Sequence, residues 1–279
     1  NYSLPITITT EKVKRIMALK FSNLKNSTSP PWLQKFVKLH GTNSVNLLVD
    51  LTNYIMFLYG IPVHAFDTNK STDNLVWEIN SKYDEFISLD NSKLSLDKNI
   101  LMINNPDKAL SLSFWGGKAC AIDSTTTEAI VEIALYDPAT VRENSRYLKS
   151  VTEASTRLEK DLDTELIPQA LNHLSKLILE NCGGQISSNL FDYYPNHEFS
   201  PVIEFNPKLP SVISGINIPE DFALDIVSKV RSRKDITIEE DLVEEVVRFW
   251  GYQKIPTSQP LTYKKLPDIT PKIIYLIDE

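Results

Sequence analysis

The sequence has few cysteines and no pattern that joins them. Cys120 and Cys182 are the two cysteines of the 279-residue chain, without Cys-x-x-Cys spacing. This argues against a disulfide framework or a thiolate metal site, and we expect two buried free thiols. No stretch reaches the roughly 18 apolar residues of a membrane span, and residues 1–20 lack the layout of a signal peptide. We therefore expect a cytoplasmic protein without membrane contact.

Glycine and positive charge are also scarce. The chain has 8 glycines, where a frequency of about 7% would give roughly 20, so each glycine is expected to have a backbone task. Lys and Arg total 29 against 36 Asp and Glu, for a net charge of −7. This charge argues against DNA as a partner and against tight RNA binding by this segment alone. Contact with RNA presented by another domain stays open.

Caps, helix-ending glycines and apolar periodicity predict helices on either side of a sheet-rich middle. The expected helices span 31–40, 51–59, 138–148, 164–181, 207–214, 219–230 and 238–250. The second begins at Asp50 or Leu51, which places Thr52 and Asn53 in its first turn. Short β-type runs predict strands at 45–49, 75–79, 86–89, 100–103, 109–114, 129–134 and 186–193.

Three motifs carry candidate chemistry. They are Glu132 in the β-type run 130–134, His64 in a Pro-x-His-Ala-Phe-Asp segment, and the segment Thr152-Glu153-Ala154-Ser155. Each has an ordinary structural interpretation: a solvent-facing strand carboxylate, a structural histidine and a helix start. Together, an acid, an imidazole and a wall of small residues can form a pocket that recognises a phenol and hydrolyses its ester.

Three segments resemble the β chain of bacterial phenylalanyl-tRNA synthetase. The first is VNLLVDLTNYIMFLYGIPVHAFD, which ends at Asp67 and is similar to the start of that chain's editing domain. The second, residues 113–171, reads SFWGGKACAIDSTTTEAIVEIALYDPATVRENSRYLKSVTEASTRLEKDLDTELIPQAL. The third, residues 235–256, reads DITIEEDLVEEVVRFWGYQKIP and is similar to the end of the next domain, B5. All three stand in the family's order.

The resemblance implies a mixed α/β fold and a set of partners. Residues 1–195 would form an interleaved B3/B4 editing domain with a central mixed sheet, 196–265 a shortened, mainly helical B5-like domain, and 266–279 the start of the following segment. The synthetase is an α₂β₂ heterotetramer that charges tRNA(Phe), using ATP and Mg²⁺ at a site in its α subunit. The α subunit and tRNA(Phe) are therefore the expected partners, and editing itself needs no cofactor. We expect a fragment of a longer protein.

The resemblance also implies roles for seven residues. Glu132 would accept the phenolic hydroxyl of a mischarged tyrosine, an error that arises because a hydrophobic pocket rejects an added hydroxyl poorly. His64, Thr52 and Asn53 would position the ester and water, and Gly116, Thr152 and Ala154 would form the substrate-binding wall. The sequence has no Ser or Cys nucleophile with an apparent base, so water is expected to attack directly.

A second acidic set lies near the C-terminal end of the resemblance. In the family, the positions of Asp235, Asp241, Glu244 and Glu245 are assigned to magnesium shared with the α subunit. Asp241, Glu244 and Glu245 share one side of a predicted helix, and carboxylate oxygens suit Mg²⁺. An alternative needs no metal, because acidic residues in the first turns of a helix already favour its dipole.

Several departures from the family pattern motivate a different function. Val151 stands where Arg is usual, and Trp115 stands where Met is usual and can narrow the slot. A hairpin of the B5 domain is also missing between Val230 and Arg231. The alternative is a scaffold and tRNA-docking module that helps the α₂β₂ synthetase to assemble but does not edit. A free-standing editing protein is a third option.

Overall fold

A computed structural model describes residues 2–197, 202–230 and 235–256. The chain divides into two compact units, Asn1–Phe199 and Ser200–Glu279, and each is described by itself. The segment predicted at 266–279 lies outside the described residues, and so does Arg231, which follows the point where the B5 hairpin is missing.

The N-terminal unit mixes strands with helices. Its strands are β1 (Ile6–Ile8), β2 (Val13–Ser22), β3 (His64–Asp67), β4 (Leu75–Ile79), β5 (Glu85–Ile87), β6 (Lys93–Ser95), β7 (Leu101–Asn104), β8 (Ala109–Leu112), β9 (Trp115–Gly116), β10 (Ala129–Tyr136), β11 (Gln185–Ile186) and β12 (Phe191–Tyr193). Its helices are α1 (Pro31–Leu39), α2 (Leu47–Tyr59), α3 (Thr68–Ser71), α4 (Pro138–Tyr147), α5 (Glu153–Leu158) and α6 (Ile167–Asn181). The predicted mixed α/β fold is confirmed.

Two main sheets organise this unit. The first has the order β1-β4-β7-β8-β9, and its β1–β4 pair is parallel while the other pairs are antiparallel. The second has the order β11-β2-β10-β3, with β12 also paired to β2, and is antiparallel. A separate hairpin joins β5 to β6. Trp77 of the first sheet donates a hydrogen bond to Tyr136 of the second, so the two sheets meet at this point.

Strand β10 is the most deeply buried strand of the second sheet. It pairs with β2 on one side and with β3 on the other, and all eight of its residues are buried. Successive side chains of β10 therefore point to two faces that are both buried. Neither face of this strand is exposed to solvent. The alternative interpretation of Glu132 as a solvent-facing strand carboxylate is wrong, because the residue is only 4% exposed.

Helix α2 begins earlier than the sequence pattern suggests. The predicted strand at 45–49 is wrong: the Asn46 side chain accepts a hydrogen bond from the Val49 N–H and caps a helix that starts at Leu47. A short apolar run cannot distinguish a strand from a buried helix, and here the cap decides. Thr52 and Asn53 consequently lie in the second turn. The helix ends as predicted at Gly60, whose φ of 73° favours glycine.

Other local predictions hold. Pro31 opens α1, and Asp137 caps α4 by accepting from the Thr140 N–H. Both cysteines are buried and free, as expected. Burial raises the pKa of Cys120 to about 12 and that of Cys182 to about 11, so neither thiol ionises near neutral pH.

The C-terminal unit is helical in its described residues. It contains α7 (Leu209–Ser214), α8 (Glu220–Lys229) and α9 (Glu239–Trp250). A small core forms from Ile218, Ala223, Ile226, Val243, Val246 and Val247. Across the described ranges of both units, no helix is long and apolar enough to cross a membrane.

Candidate active site

His64 and Glu132 lie directly opposite each other on adjacent strands. The β3–β10 register pairs the two residues, so both side chains leave the same face of the sheet. Within the described part of the chain, His64 Nε2 and Glu132 Oε2 are buried atoms without a hydrogen-bond partner. An unpaired buried polar atom costs about 1–3 kcal/mol. Two such atoms on paired residues of adjacent strands indicate a site that can bind a polar ligand.

Both residues belong to the lining of one cavity. Its walls come from the β3–β10 face, from residues 111–116 of the first sheet and from α5. Four of the seven predicted site residues line it: His64, Gly116, Glu132 and Ala154. The other three, Thr52, Asn53 and Thr152, do not belong to the lining formed by the described residues. The structure thus brings together the acid, the imidazole and two of the three predicted wall residues, Gly116 and Ala154.

Burial keeps both titratable groups neutral near pH 7. It raises the pKa of Glu132 to about 8 and lowers the pKa of His64 to about 4. Desolvation disfavours the charged form of each group, so the two shifts run in opposite directions. Glu132 and His64 therefore present a carboxyl group and a neutral imidazole to the cavity, and not an ion pair.

Gly116 lets the imidazole pass close to β9. A Cβ atom at this position would lie 2.7 Å from His64 Cε1 and 2.8 Å from Leu89 Cδ1. The glycine is therefore required by a close approach of side chains.

Thr152 has a supporting position behind the wall. Its hydroxyl accepts from the Ser155 N–H at 2.9 Å and donates to the Phe114 carbonyl at 3.2 Å. Its own N–H donates to Ser155 Oγ at 2.9 Å, which completes a capping box at the start of α5. The hydroxyl thus holds Phe114 and α5 together and so positions Ala154.

Removing this hydroxyl should loosen α5. We expect Thr152→Val to lower the free energy of unfolding by about 1–2 kcal/mol, because a helix cap and a bond to Phe114 are both lost. Urea denaturation would measure the change. Thr152→Ser keeps the hydroxyl and is the control, and equal stability of the two variants would contradict this role.

The cavity is small. Its volume is about 60 Å³, whereas an engineered cavity of about 150 Å³ holds a benzene ring. Trp115, the residue expected to narrow the slot, belongs to the lining. A phenol ring can enter only if side chains of the lining move.

Comparison with known proteins places this geometry in a family. The family model described as the B3/4 domain matches residues 12–183, which include every element that lines the cavity. The chain belongs to the B3/4 domain family.

The relatives of this B3/4 chain agree with the resemblance read from the sequence. The phenylalanine–tRNA ligase beta subunit of Clostridium acetobutylicum is 34% identical over 273 residues, which are 91% of this chain and 34% of that protein. Its counterpart from Clostridium tetani is 31% identical over 278 residues, 92% of this chain and 35% of that protein. This chain spans about a third of the length of these curated relatives.

A solved structure is also similar at a low level. It is the N-terminal fragment of the phenylalanyl-tRNA synthetase beta-subunit from Pyrococcus horikoshii, with a TM-score of 0.44 and 12% identity. The match covers 90% of this chain and 76% of the other. A likeness this weak adds nothing to the assignment.

The predicted magnesium residues lie outside the B3/4 domain and do not form a metal centre here. In residues 2–197, 202–230 and 235–256, no group of three or more His, Cys, Asp or Glu side chains could hold a metal ion. Asp241 instead accepts from the N–H groups of Thr237 and Ile238 at the start of α9. Glu245 is buried beside Arg248, while Glu244 is exposed. Asp241, Glu244, Glu245 and Asp235 therefore do not fit a magnesium ion by themselves, and a site shared with another subunit stays a prediction.

Sequence reasoning missed Tyr136 of the B3/4 domain. Tyr136 lines the cavity together with Glu132 and Ala134, which lie four and two residues before it on β10. The period of two that governs a strand places all three on one face. Counting every second residue from Glu132 along the sequence would have identified Tyr136 as a candidate.

Proposed function

We propose that this chain is the editing part of a phenylalanine–tRNA ligase beta subunit and hydrolyses tyrosine wrongly attached to tRNA(Phe). One observation carries the proposal: Glu132 and His64 line one cavity in a B3/4 domain, and each has a buried side-chain atom that is unpaired among the described residues. The alpha subunit and tRNA(Phe) are its proposed partners. Aminoacylation, with ATP and Mg²⁺, would take place elsewhere in the whole ligase.

Recognition of tyrosine follows from the state of Glu132. A phenolic hydroxyl can donate to a Glu132 oxygen that otherwise has no partner within the described chain. Phenylalanine cannot, so its binding would leave the same oxygen buried and unpaired. A site built in this way discriminates by orders of magnitude, whereas an apolar pocket does not reject an added hydroxyl. The editing pocket therefore selects for the hydroxyl that the synthetic site fails to exclude.

Hydrolysis follows from the position of His64 on the facing strand. A neutral imidazole whose Nε2 has no partner in the described chain can accept a hydrogen bond from water and orient it towards the ester carbonyl. Water adds to the acyl carbon, the acyl–oxygen bond to the ribose breaks, and the ribose oxygen leaves with a proton. Free tyrosine and intact tRNA result. Ala154 and Gly116 supply the space beside this path.

The test is deacylation of Tyr-tRNA(Phe) compared with Phe-tRNA(Phe). We expect the chain to release tyrosine faster than buffer does and faster than it releases phenylalanine. His64→Ala should slow tyrosine release by roughly ten- to a hundredfold, since a group that orients water is lost. His173→Ala is the matched control: His173 lies outside the cavity lining and contacts Tyr59, so its loss should leave the rate unchanged. Release no faster than in buffer by a folded chain would overturn the proposal.

The size of the cavity favours a second candidate, the scaffold without editing. A volume of about 60 Å³ does not hold a phenol ring unless the lining moves. Soaking crystals with tyrosine separates the two candidates. Density for a tyrosine side chain against Glu132 and Ala154 would count heavily against the scaffold, whereas a closed cavity at saturating tyrosine would support it.

A further inference from the structure

Tyr136 occupies the same cavity face as Glu132. It is 3% exposed and follows Glu132 and Ala134 at alternate positions of β10. All three line the cavity. Because Ala134 carries a single methyl group, it leaves the space between the carboxyl group and the phenol open. Tyr136 is thus a second lining residue of this strand face whose side chain carries a polar group.

Trp77 fixes the orientation of the Tyr136 hydroxyl. The indole Nε1 donates to the Tyr136 oxygen at 3.2 Å, and Trp77 is fully buried in the opposite sheet. An indole N–H is a donor without acceptor capacity, so this bond uses a lone pair of the hydroxyl and leaves its proton unused. The described residues provide no acceptor for that proton in a hydrogen bond of their own. A buried hydroxyl proton without an acceptor is suited to a ligand oxygen.

The hydroxyl stays protonated under all ordinary conditions. Burial raises the pKa of Tyr136 well above its usual value, and the nearby Glu132 charge raises it further. Tyr136 is therefore a permanent donor, while Glu132 offers an acceptor oxygen.

We propose that Tyr136 is a specificity-determining residue. Its hydroxyl donates a hydrogen bond to the phenolic oxygen of the bound tyrosyl group, while the phenolic hydroxyl donates its own hydrogen bond to Glu132. A phenol is both donor and acceptor, and this pair of side chains complements both capacities. Phenylalanine would leave the Glu132 oxygen and the Tyr136 proton unpaired together. The inference rests on the proposed function, since it assigns to Tyr136 the recognition of the phenolic oxygen in that same site.

The experiment measures ligand preference separately from hydrolysis. Amide-linked tyrosyl-adenosine and phenylalanyl-adenosine are titrated into the full chain and into Tyr136→Phe, which removes one hydroxyl and keeps the ring. We expect the variant to bind the tyrosyl ligand roughly three- to tenfold more weakly, because one neutral hydrogen bond is lost. Affinity for the phenylalanyl ligand should stay the same. Tyr59→Phe removes a hydroxyl bonded to His173 outside the cavity lining and should change neither affinity.

The outcomes separate this inference from the proposed function. Equal weakening of both ligands would mean that Tyr136 only supports the fold through Trp77, and it would overturn the inference. Unchanged tyrosyl affinity, or no preference for the tyrosyl ligand in the unaltered chain, would overturn it as well. A selective loss in Tyr136→Phe supports it even if the chain fails to deacylate Tyr-tRNA(Phe), a failure that would count against hydrolysis alone.

Discussion

Glu132→Gln is expected to make the N-terminal unit more stable at pH 7, by on the order of 3 kcal/mol. Burial raises the pKa of Glu132 from 4.5 to about 8. Below pH 4.5 the carboxyl group is protonated in both the folded and the unfolded chain and carries no penalty. Between pH 4.5 and 8 the unfolded chain ionises while the folded chain does not, so stability falls by about 1.4 kcal/mol per pH unit. Glutamine has the same shape and no proton to lose, so the variant avoids this cost.

Urea denaturation between pH 4 and 9 measures the effect. The difference between the variant and the unaltered chain should be small at pH 4, grow through neutral pH and level off above pH 8. Glu11→Gln is the matched control, because Glu11 is exposed and its replacement should change stability by less than about 0.5 kcal/mol. Parallel stability curves for Glu132→Gln and the unaltered chain would show that the carboxyl group is not buried as a neutral acid.

A gain in stability from losing a carboxyl group has a functional meaning. Residues that lower stability persist where a site needs them, and such local conflicts concentrate at functional sites. The same Glu132→Gln variant should lose much of the preference for tyrosyl over phenylalanyl ligands, because a carboxyl group can ionise and accept the phenolic hydrogen bond as a charged oxygen, which an amide cannot do. Higher stability together with lower discrimination would identify Glu132 as a recognition group kept at the expense of the fold.

Local signals predicted the parts of the fold that depend on neighbours in sequence. Pro31 opens α1, Asp137 caps α4 and Gly60 ends α2, and each acts within one helical turn. The start of α2 escaped prediction because the apolar run 45–49 fits a strand or a buried helix equally well. Only the bond between Asn46 and the Val49 N–H distinguishes the two.

The site depends on contacts between residues distant in sequence, which a single sequence does not reveal. His64 and Glu132 are opposite each other because β3 pairs with β10, and no local pattern fixes that register. The burial of Glu132 likewise requires β2, β3 and the opposite sheet around β10. The resemblance to a family, and not the alternation of residues, supplied the candidate residues. It did not supply Tyr136, which lies on the same face of β10 as Glu132 and whose bond to Trp77 joins the two sheets.

Changing the adjacent Gly116 and Gly117 to alanine, one at a time, is expected to lower the free energy of unfolding by very different amounts. At Gly117 the new Cβ would lie 2.2 Å from the Leu110 carbonyl oxygen and 2.9 Å from atoms of the Phe86 ring. A backbone atom cannot move aside without breaking the pairing of β8, so Gly117→Ala should cost about 3 kcal/mol or more of unfolding free energy. Thermal or urea denaturation measures this loss.

At Gly116 the new Cβ would instead meet the side chains of His64 and Leu89. Leu89 is 51% exposed and can turn outward, so Gly116→Ala should cost only about 1 kcal/mol of stability. His64 can give way only by leaving its place opposite Glu132, and a displacement of about 1 Å at a reacting group costs roughly a hundredfold in rate. Deacylation of Tyr-tRNA(Phe) should therefore fall about as far as in His64→Ala, roughly ten- to a hundredfold, in a variant that remains folded. An active Gly116→Ala chain would show that His64 does not need its present position, and hydrolysis would then have to be assigned to another group in the cavity.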